Sequence, residues 1–181
     1  MTSNAMDQAA AQSIRLFFAL WPDEATQTAL MRLQARMQGR RTRRENLHIT
    51  LAFLGRQPPD KLPVLAQILH GLAPADVALE IDRIGYFRRK RIAWAGMHAS
   101  PEPLTGLHRT LTEALIRHGI DYDSASAFRP HVTLARDAAA PDEMPFEAVA
   151  WRTSQIALVE SVTLPEGPVY RTVFGTNPYG T

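Results

Sequence analysis

Hydrophobic and polar positions follow two rhythms along this chain, and each predicted element begins and ends where a rhythm starts or stops. Ile14 to Trp21 (Ile-Arg-Leu-Phe-Phe-Ala-Leu-Trp) is a compact apolar run closed by Pro22, which predicts a buried strand. Asp23 is an N-cap for a helix to about Gln38, with Leu30, Leu33 and Met37 on one face and Gly39 as its stop signal. Gln57-Pro58-Pro59-Asp60 opens a second helix whose inner stripe is Leu62, Leu65, Leu69 and Leu72, with Pro63 tolerated in the first turn. Pro101 or Pro103 starts a third, carrying Leu104, Leu107, Leu111 and Leu115. It ends at His118-Gly119, where a cationic residue and a glycine both suit a helix C-terminus.

Elsewhere the period is two. Val77, Leu79 and Ile81 alternate with Ala78, Glu80 and Asp82, the pattern of a half-exposed strand. Beyond the basic turn Arg88 to Lys90, Ile92, Trp94 and Gly96 read as the returning strand of a hairpin. Val149 to Val162 and Val169 to Phe174 read as the last two strands, parted by a Pro165-Glu166-Gly167-Pro168 turn. Two further strands cover Asn46 to Gly55 and Arg129 to Arg136. The order is strand, helix, strand, helix, hairpin, helix and three strands, which predicts an α+β fold. The expected architecture is bilobal: two pseudo-symmetric lobes of antiparallel sheet with packed helices around a central cleft. No linker separates independent domains, so residues 14–181 are expected to form one bilobal domain. Residues 1–13 are expected to be a disordered or cloning-derived tail, with Ser3-Asn4-Ala5-Met6 ahead of a natural start at Met6.

Composition narrows the classes. The 181 residues contain no cysteine, which removes disulfides, thiolate metal sites and a Cys nucleophile together. No apolar run approaches the roughly 20 residues that cross a bilayer, and Met1 to Gln12 lacks the layout of a secretory signal. A cytoplasmic home and no membrane are expected. Net charge is only +2, but Lys61 and Lys90 are the only lysines. Arginine offers a planar fork to phosphate oxygens. Arg40, Arg41, Arg43 and Arg44 precede one strand, and Arg88, Arg89, Lys90 and Arg91 form a second cluster. These are solvated loops or contacts for a phosphate-bearing partner.

The candidate chemistry lies in a phrase written twice, His48-Ile49-Thr50-Leu51-Ala52 and His131-Val132-Thr133-Leu134-Ala135. Successive side chains of a strand point to opposite faces. His48 and Thr50 therefore share one face, with Ile49, Leu51 and Phe53 on the other; His131 and Thr133 repeat the pattern opposite Val132 and Leu134. Two such strands facing each other make a pocket of two imidazoles and two hydroxyls. Neither phrase carries a carboxylate on the same face, and there is no His-Glu-x-x-His, so no metal is expected. Gly-x-Ser-x-Gly, P-loop and dinucleotide fingerprints are absent as well. What remains is metal-free general acid–base work by two imidazoles, with the hydroxyls polarising the group under attack. A strained cyclic phosphodiester suits that equipment. The residues alone leave the acid and base roles interchangeable.

Paired His-x-Thr-x motifs are similar to the two-histidine phosphoesterase superfamily. Arg15-Leu16-Phe17-Phe18-Ala19, Asn46 to Gly55, Trp94-Ala95-Gly96 and Phe128 to Arg136 resemble the bacterial RNA 2′,3′-cyclic phosphodiesterases, also called 2′-5′ RNA ligases. The resemblance runs from about Ile14 to Tyr170. It implies opening of a ribose 2′,3′-cyclic phosphate at an RNA end to leave a 2′-phosphate, without cofactor. It also implies a related exchange that joins RNA halves, tRNA halves among them, through a 2′-5′ bond without ATP. His48 becomes the general acid and His131 the general base, with Thr50 and Thr133 on the phosphate oxygens.

Arg136 is implied as a phosphate or ribose contact. Strand parity puts it on the far side with Val132 and Leu134, so the strand must end or bulge there. Arg129 has the parity of His131 and is a second substrate-binding candidate. Phe17 and Phe53 are expected in the core, and Tyr86 or Phe87 as an aromatic under a base. His70, His98, His108 and His118 are expected to be structural, and the chain to be a monomer. Two alternatives stay open: a phosphodiesterase for a small cyclic phosphate of the ADP-ribose type, and a non-catalytic RNA-binding module using the arginine loops.

Overall fold

The computed structural model describes residues 13–72, 76–142, 145–165 and 167–176. The expected tail, apart from Ser13, lies outside the described residues, as does Glu166 of the predicted turn. Among the described residues, ten strands and three α-helices follow in the order β1 (Ile14–Leu20), α1 (Glu24–Gln34), β2 (Arg40–Arg41), β3 (Ile49–Gln57), α2 (Leu62–Gly71), β4 (Val77–Ile81), β5 (Arg83–Phe87), β6 (Ile92–Gly96), α3 (Glu102–Arg117), β7 (His131–Arg136), β8 (Val149–Thr153), β9 (Ile156–Leu164) and β10 (Gly167–Gly175). The fold is α+β, and every strand pairing is antiparallel.

The large sheet runs β10-β9-β1-β3-β7-β6-β5, with β2 added on β7. β3 and β7, the two phrase-bearing strands, are central neighbours that share only the pair Ile49–Val132. One half of the sheet hangs from each of them. The other face carries the helices: Leu30 and Leu33 of α1, Leu65 and Leu69 of α2, and Leu104, Leu107, Leu111 and Leu115 of α3 all enter one core. β1 splits its side chains between the faces. Leu16, Phe18 and Leu20 join that core, while Phe17 and Ala19 join a small cluster with Ala157 and Val159 on the opposite side.

Helix α1 is capped as expected, with the Thr26 N–H donating to Asp23 Oδ1 at 2.7 Å. It ends earlier, at Gln34, because Arg36 and Met37 turn back to carbonyls three residues behind them, Leu33 and Gln34. Gly39 is therefore no helix stop. At φ +98° it lets the chain approach β7 so closely that a Cβ would sit 2.6 Å from the Arg136 carbonyl oxygen.

Two predicted strands divide. The partner of β6 in the hairpin is β5, whereas the alternating run Val77–Ile81 pairs with β8 in a separate two-stranded sheet. The long run from Val149 breaks at Ser154, where the Gln155 N–H donates to the Thr153 hydroxyl and the chain changes sheets.

Candidate active site

Antiparallel pairing at Ile49–Val132 sets His48 opposite Thr133 and Thr50 opposite His131, so the two phrases interleave across the seam. All four side chains line one cleft of about 720 Å³. Regular alternation would carry the next residues of each strand away from it, but both strands bulge at the leucine after the threonine. On β3, Thr50 pairs with Ala19 and Ala52 with Phe18, leaving Leu51 as the extra residue. On β7, Thr133 pairs with Trp94 and Ala135 with Ala93, leaving Leu134 extra. Each bulge reverses the parity beyond it. Arg136 and its counterpart Phe53 consequently turn into the cleft. The bulge required for Arg136 is thus present, while Phe53 corrects the expectation of a core residue. A second bulge at Leu54 spoils the alternation of β3 further.

His48 sits just before β3 in an aromatic cage. Trp21 stacks on it at 5.2 Å between centroids and 7° between planes, Phe17 lies 5.0 Å away, and Tyr170 meets it edge-on at 5.2 Å. Its Nδ1–H donates to the Asn46 carbonyl at 2.7 Å, and its Nε2 lies 3.1 Å from the Thr50 hydroxyl. That tautomer leaves a lone pair on Nε2, to which Thr50 donates. Asn46 is held in turn by its own amide, which donates to the Pro168 carbonyl at the start of β10.

His131 is arranged alike: its Nδ1–H donates to the Arg129 carbonyl at 2.6 Å, and Phe87 packs edge-on at 4.9 Å. Trp94 completes this side at 6.0 Å, lying across Gly85, where a Cβ would stand 2.0 Å from the indole. Arg129 thus serves its neighbour through the backbone; its side chain is exposed and is not among those lining the cleft.

Electrostatics in the cleft have one sign. Arg15, Arg40, Arg41, Arg43, Lys90 and Arg136 line it, and no Asp or Glu does so among the described residues. Burial pushes His48 down to about 4, against the pull of the Asn46 carbonyl and with added repulsion from His131 and Arg136. Burial lowers His131 too, opposed by the Arg129 carbonyl and reinforced by Arg136 and Lys90. Tyr170 is raised by burial, with Arg136 and Arg15 working against the rise. Two neutral imidazoles that carry their lone pairs on Nε2, set among cations, can receive an anion and pass protons on either side of it.

A family model described as the 2′-5′ RNA ligase superfamily matches residues 21–164. The chain belongs to that superfamily. It is 31% identical to the RNA 2′,3′-cyclic phosphodiesterase of Thermus thermophilus, with 87% of this chain and 86% of the relative aligned. Against the enzyme of that name from Escherichia coli it is 34% identical over 62% of this chain, an alignment spanning 64% of the relative's length. The solved structure of E. coli LigT complexed with 3′-AMP superposes with a TM-score of 0.80 at 27% identity, covering 90% of this chain and 97% of that one.

In this superfamily member the site draws on residues that sequence reasoning assigned elsewhere or did not weigh. Phe87 lines the cleft, whereas the Tyr86 hydroxyl donates to the Ala138 carbonyl outside it. Arg15, whose guanidinium lies 4.9 Å over the Phe53 ring, and Tyr170 were not anticipated, although Arg15 stands in the first stretch of resemblance and Tyr170 at the end of its overall range. His108 reaches the site indirectly. Its Nδ1–H donates to the carbonyl of the bulged Leu51 at 2.9 Å while its ring stacks on Phe128 at 3.9 Å and 1°.

Proposed function

We infer that this chain is a metal-independent RNA 2′,3′-cyclic phosphodiesterase that opens a ribose 2′,3′-cyclic phosphate at an RNA end to a 2′-phosphate. The observation that carries this reading is the facing pair of imidazoles, each with Nδ1 tied to a carbonyl, in a cleft that no carboxylate lines among the described residues. His131 Nε2 takes a proton from water as the water oxygen bonds to phosphorus. The bond from phosphorus to the 3′ oxygen breaks, and His48 Nε2 delivers a proton to that oxygen. Thr50 and Thr133 donate to the non-bridging oxygens, and Arg136 opposes the charge that builds there.

His48 can carry the proton it delivers because the substrate is an anion. Burial, with lesser repulsion from His131 and Arg136, holds His48 at about 4; a phosphate between the rings opposes both and raises it. The carbonyl at Nδ1 favours the imidazolium in the same sense. The curated names of the relatives support an RNA substrate over an ADP-ribose-type cyclic phosphate. Phe53 and Phe87 offer ring faces and edges for a base. The reverse exchange, with tRNA halves as one source of ends, fits the same groups. We read residues 14–181 as one bilobal unit, working as a monomer in the cytoplasm.

The test is to incubate EDTA-treated protein with an RNA bearing a 2′,3′-cyclic end and identify the product. A 2′-phosphate is expected. A 3′-phosphate would exchange the leaving oxygen, and activity appearing only on adding a divalent ion would end the metal-free reading.

A further inference from the structure

A cyclic phosphodiester with an otherwise uncharged nucleoside carries a single negative charge. Arg136 and the two histidines already face it. The cleft nevertheless holds Arg40, Arg41, Arg43 and Lys90 in addition, in a chain of net charge +2. Their placement is built into the fold. β2 pairs with the far end of β7, so that Arg40 stands directly across from Arg136 and Arg41 from Ala135. From Arg41 to Ile49 the chain advances eight residues while β7 advances three, from Ala135 to Val132, and the excess is spun out as the arginine loop. Buried Gln34 pins that loop's base, its amide donating to the carbonyls of Thr42 at 2.6 Å and Leu134 at 2.8 Å.

Like charges directly opposite one another on paired strands are destabilising, and Asp137 offsets only part of this, 3.5 Å from Arg40. Asp137 also accepts from Arg91 through its backbone carbonyl, so the arginine loop and the Arg88–Lys90 turn meet in one basic wall. The side chains of Arg43 and Lys90 make no hydrogen bond or ion pair among the described residues.

We propose that the arginine loop is a second phosphate subsite, taking the internucleotide phosphate next to the cyclic end and so selecting single-stranded oligonucleotides over mononucleotides. This rests on the phosphodiesterase reading, with Arg41 and Arg43 as its specificity-determining side chains. A nucleotide with a 5′-diphosphate offers the same chemistry without a chain, and separate arms distinguish the two sources.

The experiment measures kcat/KM on a 2′,3′-cyclic mononucleotide, its 5′-diphosphate form and a cyclic-ended tetranucleotide, for the native chain and for Arg41→Gln/Arg43→Gln. In parallel, anisotropy against salt follows binding of a tetranucleotide ending in a 3′-phosphate. The native chain is expected to prefer the tetranucleotide over the plain mononucleotide, and the variant to lose about tenfold of that preference. The slope of log affinity against log salt should fall by about 0.7, the value for one single-strand phosphate no longer neutralised. Equal kcat/KM for all substrates in the native chain, or an unchanged preference and slope in the variant, overturns the subsite. A preference for the diphosphate alone replaces the oligonucleotide by a small molecule. If no substrate turns over, the phosphodiesterase reading fails, and the salt slope still decides whether the loop holds RNA phosphates.

Discussion

Ile49 and Val132 face each other across the seam between β3 and β7, the one register pair joining these strands among the described residues. Both side chains are fully buried, with Ile49 and Val132 at 0% exposure. The pair anchors the two halves of the sheet in the core and leaves the flanking residues to the cleft. It places each histidine opposite the other strand's threonine, so two distant stretches of sequence line one cleft.

If protons pass between those histidines and a single phosphate, the rings act as a unit. Replacing either His48 or His131 with alanine should lower kcat by about 10²- to 10⁴-fold. The double variant should be little worse than the poorer single one, because removing one member disables the pair. Cyclic-phosphate hydrolysis with a melting curve on each variant checks this. Multiplicative losses would mean independent roles.

The bulge at Leu134 makes a contrast between two arginines. Arg136 lines the cleft, whereas Arg129 offers the site only its carbonyl. Arg136→Met should lower kcat/KM by about 10²-fold or more, with Lys at the position restoring part of the loss, since charge returns without the fork. Arg129→Ala should stay within about twofold, because the backbone acceptor is unchanged. A large loss at Arg129 would mean that its exposed side chain swings onto substrate.

Much of this was legible in the sequence because it rests on side-chain pattern. The leucine stripes of all three helices, the Asp23 cap and the shared face of each His–Thr pair follow from spacing alone. Phe53 was misplaced for a physical reason. A bulge is a property of two strands in register, and Leu51 looks like an ordinary core leucine until Ala19 and Phe18 are paired beside it. Arg136 would have been misplaced likewise, had the resemblance not demanded a bulge. The division of Val77–Phe87 between two sheets is a tertiary choice too, since β4 finds its partner about seventy residues later in β8.

Burial of His48 has a cost that appears in acid. Its folded value is about 4, below the ordinary 6.5 of an unfolded histidine. Above 6.5 both states are neutral and the group contributes nothing to pH dependence. Between 6.5 and 4 the unfolded chain binds the proton and the folded chain does not, so stability falls as pH falls. The loss approaches about 3 kcal/mol at the lower end. Denaturant unfolding at pH 7, 5.5 and 4.5 should show a shallower decline for His48→Gln than for the native chain. Inorganic phosphate should move the His48 ring titration upward by nuclear magnetic resonance. Parallel declines, or a downward move, would contradict the assignment.

His108 ties together the approaches to both histidines, and this can be separated from a merely structural role. Helix α3 presents its ring edge to the Leu51 carbonyl and its face to Phe128, three residues before His131. Burial lowers its pKa, although the Leu51 carbonyl pulls the other way, so the neutral Nδ1–H donor persists at pH 7. His108→Ala should cost about 2 kcal/mol for the lost hydrogen bond and ring stack together. It should also lower kcat more than it raises KM, because Thr50 and Phe53 flank the carbonyl that it holds. His108→Gln, which can renew the donor without the stack, should recover kcat more than stability. A change in melting temperature with kcat untouched would make His108 ordinary core packing and leave the bulge to hold itself.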